Sequence, residues 1–278
     1  MKQAAAPVWR IVFWRELRDH WIGGKALVMI LIYTLLLGMY AYLFASNSEL
    51  QLLPLKQVVL EIVKAAVFVG LFICLIVGAD SVSGERERAT LEGLLLTPTS
   101  RRQIVVGKFL SALSIWPVAL VVAVPYWVVL SKGDAVLQRA LVWGPVMGTL
   151  LAPAFAGIGV LVSVWCNSNK ASMLVSIGLY LLMILPSEYS GFTQNATSVT
   201  VSAQAISLSD LFQLINPLGA SSRLLYDSII GDAPTNQLWL WLTSPILCPA
   251  IVLAVLLVFA GPALRLEAGV RHLRARAI

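Results

Sequence analysis

Charge is scarce in this sequence. Only 12% of its 278 residues are Asp, Glu, Lys or Arg, against 59% hydrophobic residues, and a soluble domain usually carries about 25% charged residues. Histidine occurs twice, at His20 and His272, both in the flanks of apolar runs. The three cysteines, Cys74, Cys166 and Cys248, stand singly in or beside apolar runs, which excludes a disulfide framework or a zinc site and points to packing roles. A Gly-x-x-x-x-Gly-Lys-Ser/Thr loop is absent, because Gly107-Lys108 has no glycine at the required offset before it. The chain therefore lacks that route to ATP. No Asp lies in the middle of an apolar run, and Ser114, Ser163 and Ser176 have no evident base, which argues against an intramembrane enzyme. An ion-coupled carrier needs buried acids, and only Glu61, three residues from Lys64, is of that kind.

Long apolar runs take the place of charge. They lie at 26–44, 58–79, 111–130, 141–165, 171–185 and 238–260, each at or near the roughly 20 residues a helix needs to cross a bilayer. The expected fold is an all-α integral membrane protein with six transmembrane helices in a single domain spanning 1–278. The fifth run is short and ends at Pro186. Residues 1–25 are too mixed in charge for a signal peptide, so a retained N-terminus is expected. Within them, 8–22 (VWRIVFWRELRDHWI) places Trp9, Val12, Phe13 and Leu17 on one stripe and Arg10, Arg15, Arg18 and Asp19 elsewhere, the pattern of an amphipathic helix lying in the headgroup layer. No internal repeat is evident, which weighs against an inverted-repeat carrier. Prolines 117, 125, 145, 153, 245 and 249 offer places for helices to bend, and Gly144-x-x-x-Gly148 offers a close helix contact.

The formal net charge of +6 reports orientation rather than nucleic-acid binding, because the basic residues fall between apolar runs. Lys2, Arg10, Arg15, Arg18 and Lys25 precede the first run; Arg86, Arg88, Arg101, Arg102 and Lys108 lie between the second and third. Lys170 lies between the fourth and fifth, and Arg265, Arg271, Arg274 and Arg276 follow the sixth. The opposite connections hold only Lys56, Lys132, Arg139 and Arg223. Positive charge stays in the cytoplasm, so both termini are expected there and the number of crossings must be even. On the outer side, 186–237 carries an amphipathic stretch through Ile206, Leu211 and Ile215, a break at Asn216-Pro217, and a second piece from Ala220 to Ile230 that can fold back over the helices.

The cytoplasmic connection 81–108 carries the functional signal. It mixes Glu85, Glu87 and Glu92 with Arg86 and Arg88, whereas orientation alone needs only cations. Ser83 is expected to cap a short helix over 83–97, with Glu85 and Glu87 in its first turns and Leu91, Leu94 and Leu95 as an apolar stripe. Thr97-Pro98-Thr99 would end it, and Ser100-Arg101-Arg102-Gln103 reads as a capping box opening the helix into the third crossing. A rigid bracket with both signs of charge suits docking to a soluble partner.

The run SGERERATLEGLLLTPTSRRQIVVGK, with WRIVFWRELRD before it and LINPLGASSRLLYD after it, resembles the permeases of ABC transporters of the second exporter class (ABC-2 type). That resemblance implies that the 83–97 helix is a coupling helix seated in a groove of an ATPase subunit, with Glu85, Glu87, Arg88, Leu91 and Glu92 as its contacts. It also implies a second, smaller contact through Asn167, Ser168, Asn169 and Lys170, and an interfacial elbow helix containing Trp9, Phe13, Arg15 and Glu16. Many members have glycine where this chain has Ala89, a change expected only to stiffen the helix. The chain itself would be no enzyme and bind no cofactor; ATP and Mg would be bound by two copies of a separate ABC ATPase. A second permease copy or a related permease completes the pathway in the lipid bilayer, accessory subunits can join, and nucleic acid is not a partner. The implied location is the plasma (inner) membrane of a prokaryote, as a multi-pass protein. Two other readings are an ion-coupled secondary carrier and a non-transporting scaffold or mechanotransmitter driven by an ABC ATPase.

Overall fold

The computed structural model describes residues 8–47, 52–91, 93, 96, 100–131, 135–194, 214–231 and 235–264, without the side chains of 8, 186–194 and 235–240. Among the described residues every regular element is helical. In chain order they are α1 (Val8–Trp21), α2 (Lys25–Ser46), α3 (Leu55–Glu87), α4 (Arg101–Leu113), α5 (Ile115–Ser131), α6 (Val136–Trp165), α7 (Asn169–Gln194), α8 (Pro217–Ile229) and α9 (Thr235–Val255). α9 continues through a π-helical stretch, Leu256–Ala260, into a last turn, Gly261–Ala263. Five stretches are long and apolar enough to cross a membrane: Lys25–Ser46, Leu55–Glu87, Arg101–Ser131, Val136–Trp165 and Trp241–Ala263. The apolar part of α7, Asn169–Leu185, is shorter than these, but its helix runs on to Gln194.

α3 and α6 form the centre. Their most apolar windows are 83% and 72% buried, whereas that of α2 is 17% buried. Two apolar helices gain little hydrophobic energy by meeting in lipid, so close backbone packing has to hold them. Gly78 and Gly159 supply it: a Cβ on Gly78 would lie 2.6 Å from the Ala156 carbonyl oxygen, and one on Gly159 would overlap the Leu75 carbonyl. The Gly144/Gly148 pair does something else. Those glycines make room for the Trp127 and Trp116 rings of α5 rather than for another backbone. α2 fully buries only Ala26, Tyr33, Leu37 and Phe44, leaving Leu31, Leu35 and Met39 on its outer face. Tyrosine hydroxyls stitch the periphery to the centre: Tyr33 donates to Ala66 O at 3.1 Å and Tyr180 to Phe68 O at 2.7 Å.

Local signals explain most of the ends. Gly24, at φ 80°, turns the chain from α1 into α2 in a conformation that favours glycine. The Ser100 hydroxyl accepts from the Gln103 amide at 3.4 Å and opens α4. Pro117 cannot donate to the Leu113 carbonyl, and the third crossing is correspondingly divided between α4 and α5. The Asn216 side chain caps α8 by accepting from Leu218 N at 3.1 Å and anchors it by donating to Met183 O at 2.6 Å. α8 begins at Pro217, three residues before the expected Ala220, because this cap precedes it. The stretch 206–213 and Thr97-Pro98-Thr99 lie outside the described residues.

The bracket differs from expectation. Ser83 does not start a helix. α3 runs unbroken from Leu55 through Ser83 to Glu87, 33 residues or about 50 Å at 1.5 Å per residue, so its end projects beyond the roughly 30 Å hydrocarbon layer. The run Gly78-Ala-Asp-Ser-Val-Ser-Gly84 looks like a loop, but packing overrides that preference. Gly78 and Gly159 are pressed together, and Ser163 Oγ accepts from the amides of Val82 (3.0 Å) and Ser83 (2.8 Å). Helix α3 ends at Ala89, which has φ 57°. Ala89 therefore does not stiffen a helix; it occupies the left-handed position where glycine is preferred.

Candidate functional site

Two polar clusters grip opposite sides of the C-terminal end of α3. Asp80 and Glu85 are five residues apart, which at 100° per residue turns them about 140° from one another around the helix.

The Glu85 cluster faces α1 and α4. Lys108, wholly buried on α4, places its Nζ 2.9 Å from Glu16 Oε1 of α1, 2.7 Å from Glu85 Oε2 and 2.8 Å from the Ser81 carbonyl oxygen. Arg15 approaches Glu85 from the exposed side at 3.8 Å, so two carboxylates meet two cations. Burial pushes the Glu16 carboxyl up, but the adjacent Lys108 ammonium, helped by Glu85 and His20, outweighs it and holds that carboxyl below its ordinary range. His20 Nδ1 sits 2.8 Å from Glu16 O and 3.2 Å from Ser111 Oγ. Val12 and Phe13 seat against Gly107, where a Cβ would lie 2.8 Å from Val12. The inward stripe of α1 is therefore Val12, Glu16 and His20, with Trp9, Ile11 and Trp14 outward, in place of the all-apolar stripe expected from the sequence.

The Asp80 cluster faces α2 and α7. Lys25, the first residue of α2, donates to Asp80 Oδ2 at 2.6 Å, and Asn169, the first residue of α7, donates to Oδ1 at 2.8 Å. Ser83 Oγ lies 2.7 Å from Ala79 O and 3.1 Å from Asn169 Oδ1, its one proton shared between those acceptors. Ser172 Oγ donates to the same Ala79 carbonyl at 2.8 Å. Arg86 donates to the Cys166 and Val164 carbonyls, closing the C-terminal end of α6, where the helix dipole favours a cation. Arg101 does the same for the turn Gly261–Ala263, donating to Leu264 O at 2.7 Å.

These contacts sort the expected site residues. Glu87 and Arg88 are exposed at the tip of α3. Glu85, expected to meet a partner, is only 7% exposed and turned into the protein, its charge engaged by Lys108. Leu91 is buried as well, and Glu92 lies outside the described residues. In the second connection Asn167 and Lys170 are exposed. Ser168 accepts from Ala171 N at 3.2 Å and caps α7, while Asn169 is bound internally to Asp80. Trp9 and Arg15 are exposed and Phe13 is half-buried. Sequence reasoning missed Asp80, Lys25, Lys108 and Ser163; the available signal was the acid Asp80 at the end of the second apolar run and a lysine, Lys25 or Lys108, just before the first and third, while nothing in the sequence marks Ser163.

A family model described as ABC-2 family transporter protein matches residues 10–266. The chain belongs to that family. It is thus the membrane protein of an ABC transporter, a class that works with an ATPase partner. No curated protein matches the chain. The tip bearing Glu87 and Arg88 belongs to α3, whose apolar window is the most buried of the five long apolar stretches.

Proposed function

We propose that this chain is the membrane-spanning subunit of an ATP-driven exporter in the plasma (inner) membrane of a prokaryote. In this reading α1 is the interfacial elbow, the five long apolar stretches and α7 make six crossings, and both termini are cytoplasmic. The chain is not an enzyme; ATP and Mg are bound by two copies of a separate ATPase, and a second permease copy or a relative completes the pathway. Glu87 and Arg88, with Asn167 and Lys170, meet the ATPase, and Glu85 works inside the bracket. The observation that carries this reading is the unbroken α3, exposed at its tip and buried along its apolar length. Closure of the ATPases pulls that tip and shifts the bundle between two packings.

The charge-poor interior favours an apolar or amphipathic cargo. An ion-coupled carrier finds less support, since Lys64 Nζ lies 3.3 Å from Glu61 Oε1, partly neutralising the acid within the second apolar run. Purification of the tagged chain in mild detergent, followed by ATPase assay and reconstitution in liposomes, tests the proposal. A Walker-type ATPase that copurifies in active form, with ATP-dependent movement of an amphiphile, is expected. A chain that comes alone and moves sodium or protons down a gradient would overturn it in favour of the carrier. An ATPase without any flux would favour the mechanotransmitter.

A further inference from the structure

Asp80 stands where several elements meet. Its carboxylate accepts from Lys25 of α2 and Asn169 of α7, and it lies across Gly84 beside Arg88. A Cβ at Gly84 would overlap Asp80 Oδ1 and approach the Arg88 guanidinium at 3.2 Å. Arg88 is fixed from its other side by the Gly84 carbonyl, at 3.0 Å from Nε. Asn169 is also within 3.1 Å of Ser83 Oγ, and Arg86 donates to the Cys166 carbonyl at the head of the 166–172 connection. The exposed residues of the two connections, Glu87 and Arg88 on one and Asn167 and Lys170 on the other, are thereby tied to each other through buried and half-buried polar groups.

We propose that Asp80 is a positioning residue that joins the two cytoplasmic connections into one docking surface for the ATPase, an inference that rests on the permease reading above. The surface offers Arg88 and Lys170 as cations and Glu87 as an anion, so it fits an ATPase groove carrying acids with a base between them. Asp80 touches no partner; it holds Arg88 and Asn169 in place. Its charge matters beyond its shape, since Asn at this position keeps an acceptor for Asn169 and loses the attraction for Lys25 and Arg88.

The test uses the full chain in lipid nanodiscs, with spin labels at positions 87 and 170 and a control pair at positions 121 and 142 on the outer faces of α5 and α6, and with binding measured on the unlabelled chain. The probe for binding is the ATPase that copurifies with the wild-type chain, titrated back in purified form. Wild type is expected to give a narrow 87–170 distance distribution. Asp80→Asn is expected to broaden that distribution, leave the control pair unchanged, and weaken ATPase binding about tenfold, on the scale of losing one charged hydrogen bond. Asn169→Ala supplies the same loss of constraint should Asp80→Asn fold poorly. An unchanged 87–170 distribution, equal broadening of both pairs, or unchanged binding would each overturn the inference while the permease reading stands. If the wild-type chain binds no ATPase, the permease reading itself fails and takes this inference with it.

Discussion

The two faces of the C-terminal end of α3 are built from the same parts and differ in access to water. On one face Glu85 meets Lys108, whose side chain is 0% exposed; on the other Asp80 meets Lys25, whose side chain is 44% exposed. A sealed ion pair has a large desolvation cost that its partners must offset, so removing one member strands the others. A half-open pair can exchange its partner for water at little cost. α3 is therefore fixed firmly to the α1 and α4 side and loosely to the α2 and α7 side. Of the two ion pairs, the one on the α1 and α4 side is the costlier to break.

Exchange of each lysine for methionine sharpens the contrast most. Lys108→Met leaves Glu16 and Glu85 buried together and is expected to destabilise the protein by about 3–5 kcal/mol, read as a fall in thermal unfolding temperature in detergent. Lys25→Met, at an exposed pair, is expected to cost about 1 kcal/mol or less; equal losses for the two variants would erase the distinction. Ala89→Gly relieves a left-handed alanine that both faces tolerate, with an expected gain of about 0.5–1 kcal/mol after the added freedom of glycine in the unfolded chain. Loss of stability at that position would show that the turn is not left-handed.

The smallest effect concerns pH. Glu16 has its carboxyl held below the ordinary value of 4.5, facing Lys108, Glu85 and His20, with Arg15 on the outer side of Glu85. A depressed carboxylate contributes stability in full above the unfolded value and loses it as pH falls through the folded one. The advantage of wild type over Lys108→Met in unfolding temperature is thus expected to shrink as the solution is made more acid, the more so because protonation relieves the two carboxylates left facing each other in the variant. An advantage that grows on acidification would contradict the assignment of Lys108 as the counter-charge of Glu16.

Patterns that act within a few residues were readable in the sequence. The apolar runs became helices at the expected places, Ser100 caps α4 through Gln103, and the Asn216-Pro217 break became the cap and first residue of α8. Features set by packing at long range were not. Ser83 reads as a cap, yet it lies inside α3 because Ser163, 80 residues away, accepts its amide. The glycines at 144 and 148 drew attention by spacing, while Gly78 and Gly159, which bring two backbones together, have no shared motif. Glu85 and Glu87 look alike in a charged run, and only the position of Lys108 separates the buried one from the exposed one. The family resemblance located the bracket; burial decided which of its residues can meet another protein.

In the proposed function the exposed tip of α3 is the place where an ATPase acts. Its most direct test is Glu87→Lys with Arg88→Glu in the full-length chain, with unfolding temperature, copurification of the ATPase and stimulated ATP hydrolysis measured on the same sample. The expected result is an unfolding temperature close to wild type with loss of the bound ATPase or of its stimulation. Full binding and stimulation in a normally folded variant would contradict it.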